Sequence, residues 1–407
     1  MISFEPTDDQ KLMVESVAQF ARTVLRPKFR DFESARALPE SVRKTAHELG
    51  LGLVALPEAA GGAGLGLTTA VMLEEEVAWG DPAAAFAFGG PGAFGLAVTE
   101  LGTTEQAKAA LEPFTADGGH ARFGAVAWGE KKAHPSRPGL STTAKKDGGG
   151  WRLDGAKAYV TNADRADRFV VFAQVDEDAG WRGLGAFLVE KGAKGLSILP
   201  RETTLGLDVA SFGGIALEGV VVPDSARLVG AGDFTSATIR FFAKNALVIA
   251  ARSVGLSRAA FEVTREYVDT RKAFGKPIGH FQAVAFTVAD RAMDVEAARG
   301  LVWRAAAAWD AGDSPEHQKE ALLRTAQAVA FAHEAAMRCG DDGVQLHGGN
   351  GFIRDYPVEK FMRDAKQLGL CGMTAEHADQ LAAAVTLGVP VDPGLVLPTP
   401  ETQNAFV

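Results

Sequence analysis

Cysteine is scarce in this sequence: Cys339 and Cys371 are the two cysteines among its 407 residues. Two cysteines cannot form the disulfide framework of a small secreted protein, and they suit a reducing compartment. The first residues are acidic and hold no apolar run, so we expect no signal peptide and a cytoplasmic location. Long hydrophobic runs are also missing, since no window approaches the roughly 18 apolar residues of a transmembrane helix. We therefore expect no membrane partner.

Positive charge is in deficit as well. The formal net charge of -9 argues against nucleic acid or an anionic membrane surface as a partner. An anionic small ligand is compatible with this balance, because it needs only a local basic pocket. The histidines His280, His333 and His347 show no metal-ligand spacing with cysteines or carboxylates, so no metal site is predicted.

Hydrophobic periodicity divides the chain into an α+β multidomain pattern. Residues 1–120 follow helix spacing from a capping box at Thr7 and Gln10, and predict an N-terminal helical domain. Residues 121–229 are short apolar runs between Gly, Asp and Pro turns, typical of an antiparallel β-domain. Residues 230–390 predict a four-helix bundle, with helices over 243–271, 281–309, 315–339 and 374–387. Residues 391–407 are expected to form an extended tail.

Two local patterns have ordinary structural interpretations. Residues 90–95 read Gly-Pro-Gly-Ala-Phe-Gly and match a dinucleotide-binding fingerprint by letter. No predicted strand precedes them, and Pro91 lies inside the turn, so we interpret them as a turn between helices. The acidic run Glu74, Glu75 and Glu76 is interpreted as the solvent-exposed face of a helix.

The C-terminal half carries the most informative motif. Residues 267–282 read Tyr-Val-Asp-Thr-Arg-Lys-Ala-Phe-Gly-Lys-Pro-Ile-Gly-His-Phe-Gln, residues 345–352 read Gln-Leu-His-Gly-Gly-Asn-Gly-Phe, and residues 363–366 read Arg-Asp-Ala-Lys. Alone, Arg271 would be a helix-terminal arginine facing the negative end of the helix dipole. Together, the three segments resemble the C-terminal signature of the acyl-CoA dehydrogenase flavoprotein family. The resemblance runs nearly end to end and implies that family's three-part layout and FAD as cofactor.

The resemblance also implies which residues contact FAD. One group of residues would contact the pyrophosphate and adenine of the FAD that is bound in a neighbouring subunit. This group comprises Arg271, Phe274, Gln282, Gln345, Gly348 and Gly349. Around the isoalloxazine, the Thr161 hydroxyl would bond near N5, Tyr159 would pack against the ring, and Trp128 and Gly129 would offer backbone contacts. Thr374 and Glu376 align with further FAD-contacting positions. A site shared between subunits implies a homo-oligomer, a dimer or tetramer.

The family's catalytic glutamate is missing from both places where the family carries it. The commoner position aligns with Gly372, and the alternative position aligns with Asn245. Glycine has no side chain and an amide has no basicity, so neither residue can abstract the α-proton of an acyl thioester. Glu376 could substitute only if the loop were rebuilt. The resemblance therefore implies a divergent member whose base is unknown.

Three functions are compatible with this combination. The first is an FAD-dependent oxidoreductase acting on an acyl thioester of CoA or of an acyl carrier protein, with a non-standard base or altered flavin chemistry. Electron-transfer flavoprotein is one candidate for its electron acceptor. The second is a catalytically silent subunit that completes FAD sites for a base-bearing paralogue in a mixed oligomer. The third is a cofactor-free scaffold or binding protein. Fold resemblance alone does not choose among them.

Overall fold

Helices form the N-terminal part of the chain, as the periodic pattern predicts. The computed structural model describes residues 5–132, 134, 136, 138–230, 232–389 and 391. At the first helix, Thr7 Oγ1 accepts from the Gln10 amide at 3.2 Å and Gln10 Oε1 accepts from the Thr7 amide at 2.9 Å, which confirms the predicted capping box. The helices are α1 (Asp8–Phe20), α2 (Phe29–Ala35), α3 (Glu40–Glu48), α4 (Gly66–Gly80), α5 (Gly92–Leu101) and α6 (Thr104–Thr115).

A curled sheet forms the middle of the chain. Its strands are β1 (Gly124–Ala127), β2 (Thr143–Asp147), β3 (Gly150–Thr161), β4 (Arg168–Gln174), β5 (Leu184–Glu190), β6 (Leu196–Leu199) and β7 (Phe212–Pro223). The order is β1-β4-β2-β3-β7-β6, and β5 pairs with β4 off this path. Antiparallel pairs dominate, as expected, but β1 runs parallel to β4, with Gly124 opposite Arg168. The sequence did not predict β6, whose side chains are mostly exposed and therefore carry no hydrophobic alternation.

The C-terminal part is helical and confirms the predicted fold class. It contains α7 (Phe234–Thr270), the hairpin strands β8 (Lys272–Ala273) and β9 (Lys276–Pro277), α8 (Gln282–Asp310), α9 (Pro315–His347), α10 (Val358–Leu368) and α11 (Ala375–Leu387). Four of these helices correspond to the predicted bundle, and α10 is an addition. The predicted tail lies, apart from residue 391, outside the described residues. Across the described chain, no helix combines the length and apolar character that crossing a bilayer requires.

Helix α10 owes its position to ion pairs. Asp364 and Lys360 form an ion pair in which both side chains are buried, and Asp364 Oδ1 accepts from the Leu207 amide at 2.6 Å. Arg363 reaches Glu33 at 2.6 Å on α2. The Arg-Asp-Ala-Lys motif therefore fastens α10 to the N-terminal helices and to the loop before β7. This anchoring sets the position of the loop that follows α10.

Aromatic packing joins the sheet to α7. The Trp128 ring, just beyond β1, lies 5.2 Å from Phe172 on β4 and 4.9 Å from Phe242 on α7, measured between centroids. Phe241 and Phe242 are 4.8 Å apart. Each of these buried rings removes enough apolar surface from water to contribute about 1.5–3 kcal/mol. The cluster thus fixes the end of β1 against the middle of α7, where the candidate site lies.

Candidate active site

A cavity of about 700 Å³ opens where the three parts of the chain meet. Its walls come from α4, the start of α5, the ends of β1 and β3, the middle of α7 and the loop after α10. The structure brings together at this cavity six residues singled out from the sequence: Trp128, Gly129, Tyr159, Thr161, Asn245 and Gly372. Its remaining lining is mostly aliphatic and aromatic, as is typical of pockets that bind small molecules.

The rim at the end of β3 has an unusual backbone. Tyr159 and Asn162 both adopt left-handed conformations, with φ of 56° and 60°. Such conformations cost of order 1–3 kcal/mol each and persist only where the surroundings enforce them. Here β3 shifts register against β7 between Lys157 and Val160, and Asn162 Nδ2 donates to the Phe86 carbonyl at 2.8 Å. The distortion leaves Tyr159 61% exposed beside the cavity.

Two polar atoms at this rim are available to a ligand. The Asn162 Oδ1 atom is buried and has no hydrogen-bond partner among the described residues. The Thr161 hydroxyl lines the cavity and bonds to no described residue. A buried acceptor without a partner is costly, and in native structures it usually marks a place for water or a ligand. The rim therefore offers a donor and an acceptor to whatever the cavity holds.

A buried ion pair joins the segment after β1 to β3. Lys157 Nζ lies 2.8 Å from Glu130 Oε1 and 3.1 Å from the Trp128 carbonyl. The backbone amides of Ser141 and Thr142 donate to the two Glu130 oxygens at 2.7 and 2.9 Å. Burial alone would raise the pKa of Glu130, but the Lys157 ammonium and the Thr142 donors hold that pKa below its usual range. Burial lowers the pKa of Lys157 to about 8, so the pair is charged at neutral pH and fixes the segment after β1.

Gly129 in this segment allows a close backbone approach. Its carbonyl accepts from the Ala158 amide at 2.8 Å. A Cβ atom at Gly129 would lie 2.9 Å from the Ala158 carbonyl oxygen, closer than side chains tolerate. The residue must be glycine for β1 and β3 to meet here. The sequence assigns Gly129 to the cofactor site for a different reason: it aligns with a position whose backbone contacts the flavin in the family.

The two family base positions, Asn245 and Gly372, both line the cavity, and neither carries a carboxylate. Asn245 lies on α7. Gly372 has a φ of 70°, and a Cβ atom there would lie 3.0 Å from Ile249 Cδ1. The adjacent Cys371 is a thiol, because burial raises its pKa to about 12. Neither family position can therefore supply a general base.

Thr374 and Glu376 do not line this cavity. Thr374 caps α11 and its hydroxyl accepts from the His377 amide at 3.4 Å. Glu376 is exposed in the first turn of α11, where backbone donors and the Thr374 hydroxyl lower the pKa of its carboxyl. An exposed carboxylate with a lowered pKa is a poor substitute for a base inside the cavity.

The remaining predicted residues form a second, external group. Tyr267 near the end of α7 stacks on His347 at 4.0 Å and accepts from Asn350 Nδ2 at 3.0 Å, which ties α7 to the loop after α9. This contact brings Arg271, one turn beyond Tyr267, to the end of the domain that holds residues 348–350. The group comprises Arg271, Phe274, Gln282, Gln345, Gly348 and Gly349, none of which lines the cavity.

The surface of this external group is open. Phe274 is 95% exposed at the tip of the β8–β9 hairpin, with a φ of 51°. Added Cβ atoms at Gly348 and Gly349 would meet nothing within 4 Å. Arg271 forms no ion pair with a described carboxylate. An exposed aromatic ring, an unpaired guanidinium and an open glycine loop are the features of a surface that a ligand or another chain covers.

The acidic run on α4 differs from the sequence-based interpretation. Glu75 is buried rather than solvent-exposed: its side chain is 4% exposed and lies between Arg258 on α7 and Arg299 on α8. Glu76 pairs with Arg258 at 2.7 Å. The exposed-face interpretation was wrong because α4 is buried between helices, so its glutamates need arginine partners from other elements. A charge run cannot reveal such distant partners.

Sequence reasoning also missed two residues of the cavity wall, Glu74 and Arg252. The available signal was Arg252 itself, a single charge after the apolar run at residues 246–251. It lies seven residues after Asn245 and therefore on the same face of α7. The predicted turn at residues 90–95 is confirmed only in part: residues 90 and 91 precede α5, whereas residues 92–95 form the first turn of α5.

Family models match nearly the whole chain. The acyl-CoA dehydrogenase N-terminal domain matches residues 7–117, the middle domain residues 125–220 and the C-terminal domain residues 235–384. The probable acyl-CoA dehydrogenase FadE25 of Mycobacterium tuberculosis is 32% identical over 366 residues, which cover 89% of this chain and 91% of that protein.

Solved structures show the same likeness in three dimensions. Butyryl-CoA dehydrogenase from Megasphaera elsdenii is 27% identical, with a TM-score of 0.86 over 95% of this chain and 100% of that chain. The prolyl acyl carrier protein oxidase AnaB is 26% identical, with a TM-score of 0.84 over 94% of this chain and 100% of that chain. One of these relatives is named for a CoA thioester and the other for a carrier protein.

Proposed function

The chain belongs to the acyl-CoA dehydrogenase family, and we propose that it is an FAD-dependent oxidoreductase that acts on an acyl thioester without the family's usual base. The observation that carries the proposal is the cavity rim at the end of β3. There a strained backbone presents the Thr161 hydroxyl and the unpaired Asn162 Oδ1 to a cavity of about 700 Å³.

The residues around the cavity fit a flavin. Thr161 would donate a hydrogen bond to the ring system, and the half-exposed Tyr159 ring would pack against it. The Glu130–Lys157 ion pair holds the backbone of Trp128 in reach of the same ligand. Bound FAD would supply the hydride acceptor that no amino-acid side chain provides. The open loop at residues 348–349 and Arg271 would receive a pyrophosphate, since a guanidinium fork matches phosphate geometry.

The reaction differs from ordinary dehydrogenation at the proton-abstracting step. A general base must lie within hydrogen-bond reach of the α-proton, and neither Asn245 nor Gly372 provides one. We propose either a base supplied elsewhere or a different outcome at the flavin, such as oxidation or oxygenation. CoA and acyl carrier protein thioesters both remain within the proposal, because relatives of both kinds share this fold.

The surroundings of the enzyme are part of the same proposal. Electron-transfer flavoprotein would accept electrons, and a dimer or tetramer would cover the external group around Arg271. A cytoplasmic location fits the two unpaired thiols, Cys339 and Cys371.

A second candidate function is a catalytically silent subunit that completes FAD sites for a base-bearing paralogue. It is favoured by one combination: both base positions lack a carboxylate, while the external group around Arg271 keeps its open surface. Mixing the chain with the paralogue should then raise activity above the sum of the two separate activities. No gain on mixing would exclude this role.

The deciding experiment is the visible spectrum of the purified protein before and after incubation with FAD. The proposal expects the absorbance bands of bound flavin. The variant Thr161→Val should alter those bands and Arg271→Gln should weaken FAD retention on dialysis, while both stay folded by circular dichroism. Arg22→Gln is the matched control, because Arg22 lies just after α1 and pairs with Glu15 at the surface. A colourless protein that takes up no FAD would overturn the proposal and favour a cofactor-free scaffold.

A further inference from the structure

One ion pair stands out in the cavity wall. Among the described residues that line the cavity, Glu74 is the acidic one and Arg252 is the basic one. Glu74 lies on α4 and Arg252 on α7, and Arg252 Nε donates to Glu74 Oε2 at 2.8 Å. Their side chains are 16% and 10% exposed. The Arg252 guanidinium also lies 4.3 Å from the centre of the Phe86 ring. This cation–π contact restricts the orientation of the guanidinium plane.

Arg252 uses only part of its hydrogen-bonding capacity within the protein. Nearby arginines that link helices use their terminal nitrogens: Arg258 donates from both to Glu75 and Glu76, and Arg299 donates from both to glutamates. Arg252 bonds through Nε alone, and its two terminal nitrogens reach no described acceptor. The outer edge of its guanidinium is thus left for something inside the cavity.

A purely structural role is a poor explanation for this pair. Taking two charges out of water is costly, and well-packed apolar side chains at such sites are often as stabilising or more so. The lining residues next to the pair, Leu73, Phe86 and Ile249, are apolar, so an apolar pair would fit between them. A charged pair kept in an apolar binding cavity is therefore expected to have a role in recognition.

The position of Arg252 relative to Asn245 suggests which part of a substrate it would meet. Asn245, Ile249 and Arg252 line the cavity along one face of α7. Arg252 follows Asn245 by seven residues, which places its Cα roughly 10 Å further along the helix axis. The reacting carbons would lie near Asn245 and Gly372, so Arg252 would meet the far end of a short acyl chain.

We propose that Arg252 binds a carboxylate at the far end of the substrate's acyl chain, and that Glu74 positions the guanidinium for it. The free edge of a guanidinium binds a carboxylate through two parallel hydrogen bonds. Glu74 holds Nε, which directs the terminal nitrogens into the cavity. This inference rests on the proposed function and narrows its substrate class to acyl thioesters with a terminal carboxylate.

The test compares two five-carbon CoA thioesters, pentanoyl-CoA and its ω-carboxylate analogue, on the FAD-loaded protein. Binding is measured by perturbation of the flavin spectrum, so turnover is not required. The wild type should bind the carboxylate analogue about 10- to 100-fold more tightly than pentanoyl-CoA. Arg252→Met should lose this preference, and Arg252→Lys should keep part of it. Arg240→Met, on the same helix but paired with Glu100 outside the cavity, should leave it unchanged.

The outcomes separate this inference from the proposed function. If the wild type binds pentanoyl-CoA as tightly as its carboxylate analogue, the inference is overturned while the proposed function stands. An unchanged preference in Arg252→Met, with flavin content retained, overturns it as well. If neither thioester perturbs the flavin of the wild type, the thioester function itself fails and the inference fails with it.

Discussion

Replacing Lys157 with methionine should destabilise the fold by about 3–5 kcal/mol, because it breaks a buried ion pair from one side. The Lys157 ammonium is fully buried and lies 2.8 Å from Glu130 Oε1. Methionine keeps most of the side-chain volume, so the change removes the charge and little of the packing. The Glu130 carboxylate would keep its two backbone donors but lose its cation in a site that water does not reach.

The double variant Glu130→Gln with Lys157→Met separates charge from packing. It removes both charges, so no uncompensated ion remains. Glutamine has one acceptor oxygen instead of two, and one of the backbone amides of Ser141 and Thr142 would lose its partner. That loss costs about 1–3 kcal/mol. The double variant should therefore be more stable than Lys157→Met alone by about 2 kcal/mol.

Urea unfolding followed by circular dichroism measures these free energies of unfolding. Retention of the FAD absorbance bands shows whether the segment after β1 keeps its position. The neighbouring Lys131 provides a matched control, since it pairs with Glu202 at 2.8 Å with side chains 62% and 40% exposed. Lys131→Met should cost much less than Lys157→Met, because exposed ion pairs contribute little to stability. The reasoning is refuted if Lys157→Met costs no more than Lys131→Met, or if the double variant is less stable than the single one.

Three further predictions concern pH, thiols and backbone strain. Burial lowers the pKa of His333 to about 4, so between roughly pH 4 and 6.5 the unfolded chain binds more protons and stability falls as the pH falls. The variant His333→Gln should flatten that slope in urea unfolding at pH 5 and pH 7. Burial raises the pKa of Cys339 and Cys371 to about 12, so both should react with iodoacetamide at pH 8 far more slowly than in urea; equal rates by mass spectrometry would contradict this. Gly372→Ala should cost about 1–2 kcal/mol for its positive φ plus a steric contact. Gly388 also has a φ of 70°, but an added Cβ atom there would meet nothing within 4 Å. Gly388→Ala should therefore lower the free energy of unfolding less than Gly372→Ala does.

Much of the fold could be predicted because its signals are local. The capping box at Thr7 and the helix period of the C-terminal part depend on residues close in sequence, and both appear in the structure. Helix α10 was missed because distant ion pairs hold it in place: Lys360 with Asp81, and Arg363 with Glu33 on α2. Partners this far apart in sequence leave no local pattern.

The candidate site could be predicted only where a motif marks it. Thr161 and Asn245 were found through family alignment, and the structure places both at the cavity. The Glu74–Arg252 pair was missed because its two residues lie on different helices and are 178 positions apart in sequence. The left-handed backbone of Tyr159 was also missed, since a tyrosine gives no sign of a positive φ.

The network around Glu75 has a consequence for behaviour on heating. Glu75 on α4 accepts from Arg258 on α7 and Arg299 on α8, so one buried carboxylate joins three helices. The hydration of charged groups becomes less favourable as temperature rises, so the penalty for keeping these charges from water shrinks. Heat should therefore weaken the ion pairs of Glu75 with Arg258 and Arg299 less than it weakens apolar contacts elsewhere. In amide exchange at rising temperature, α4 and the adjoining turns of α7 and α8 should be the last segments to open.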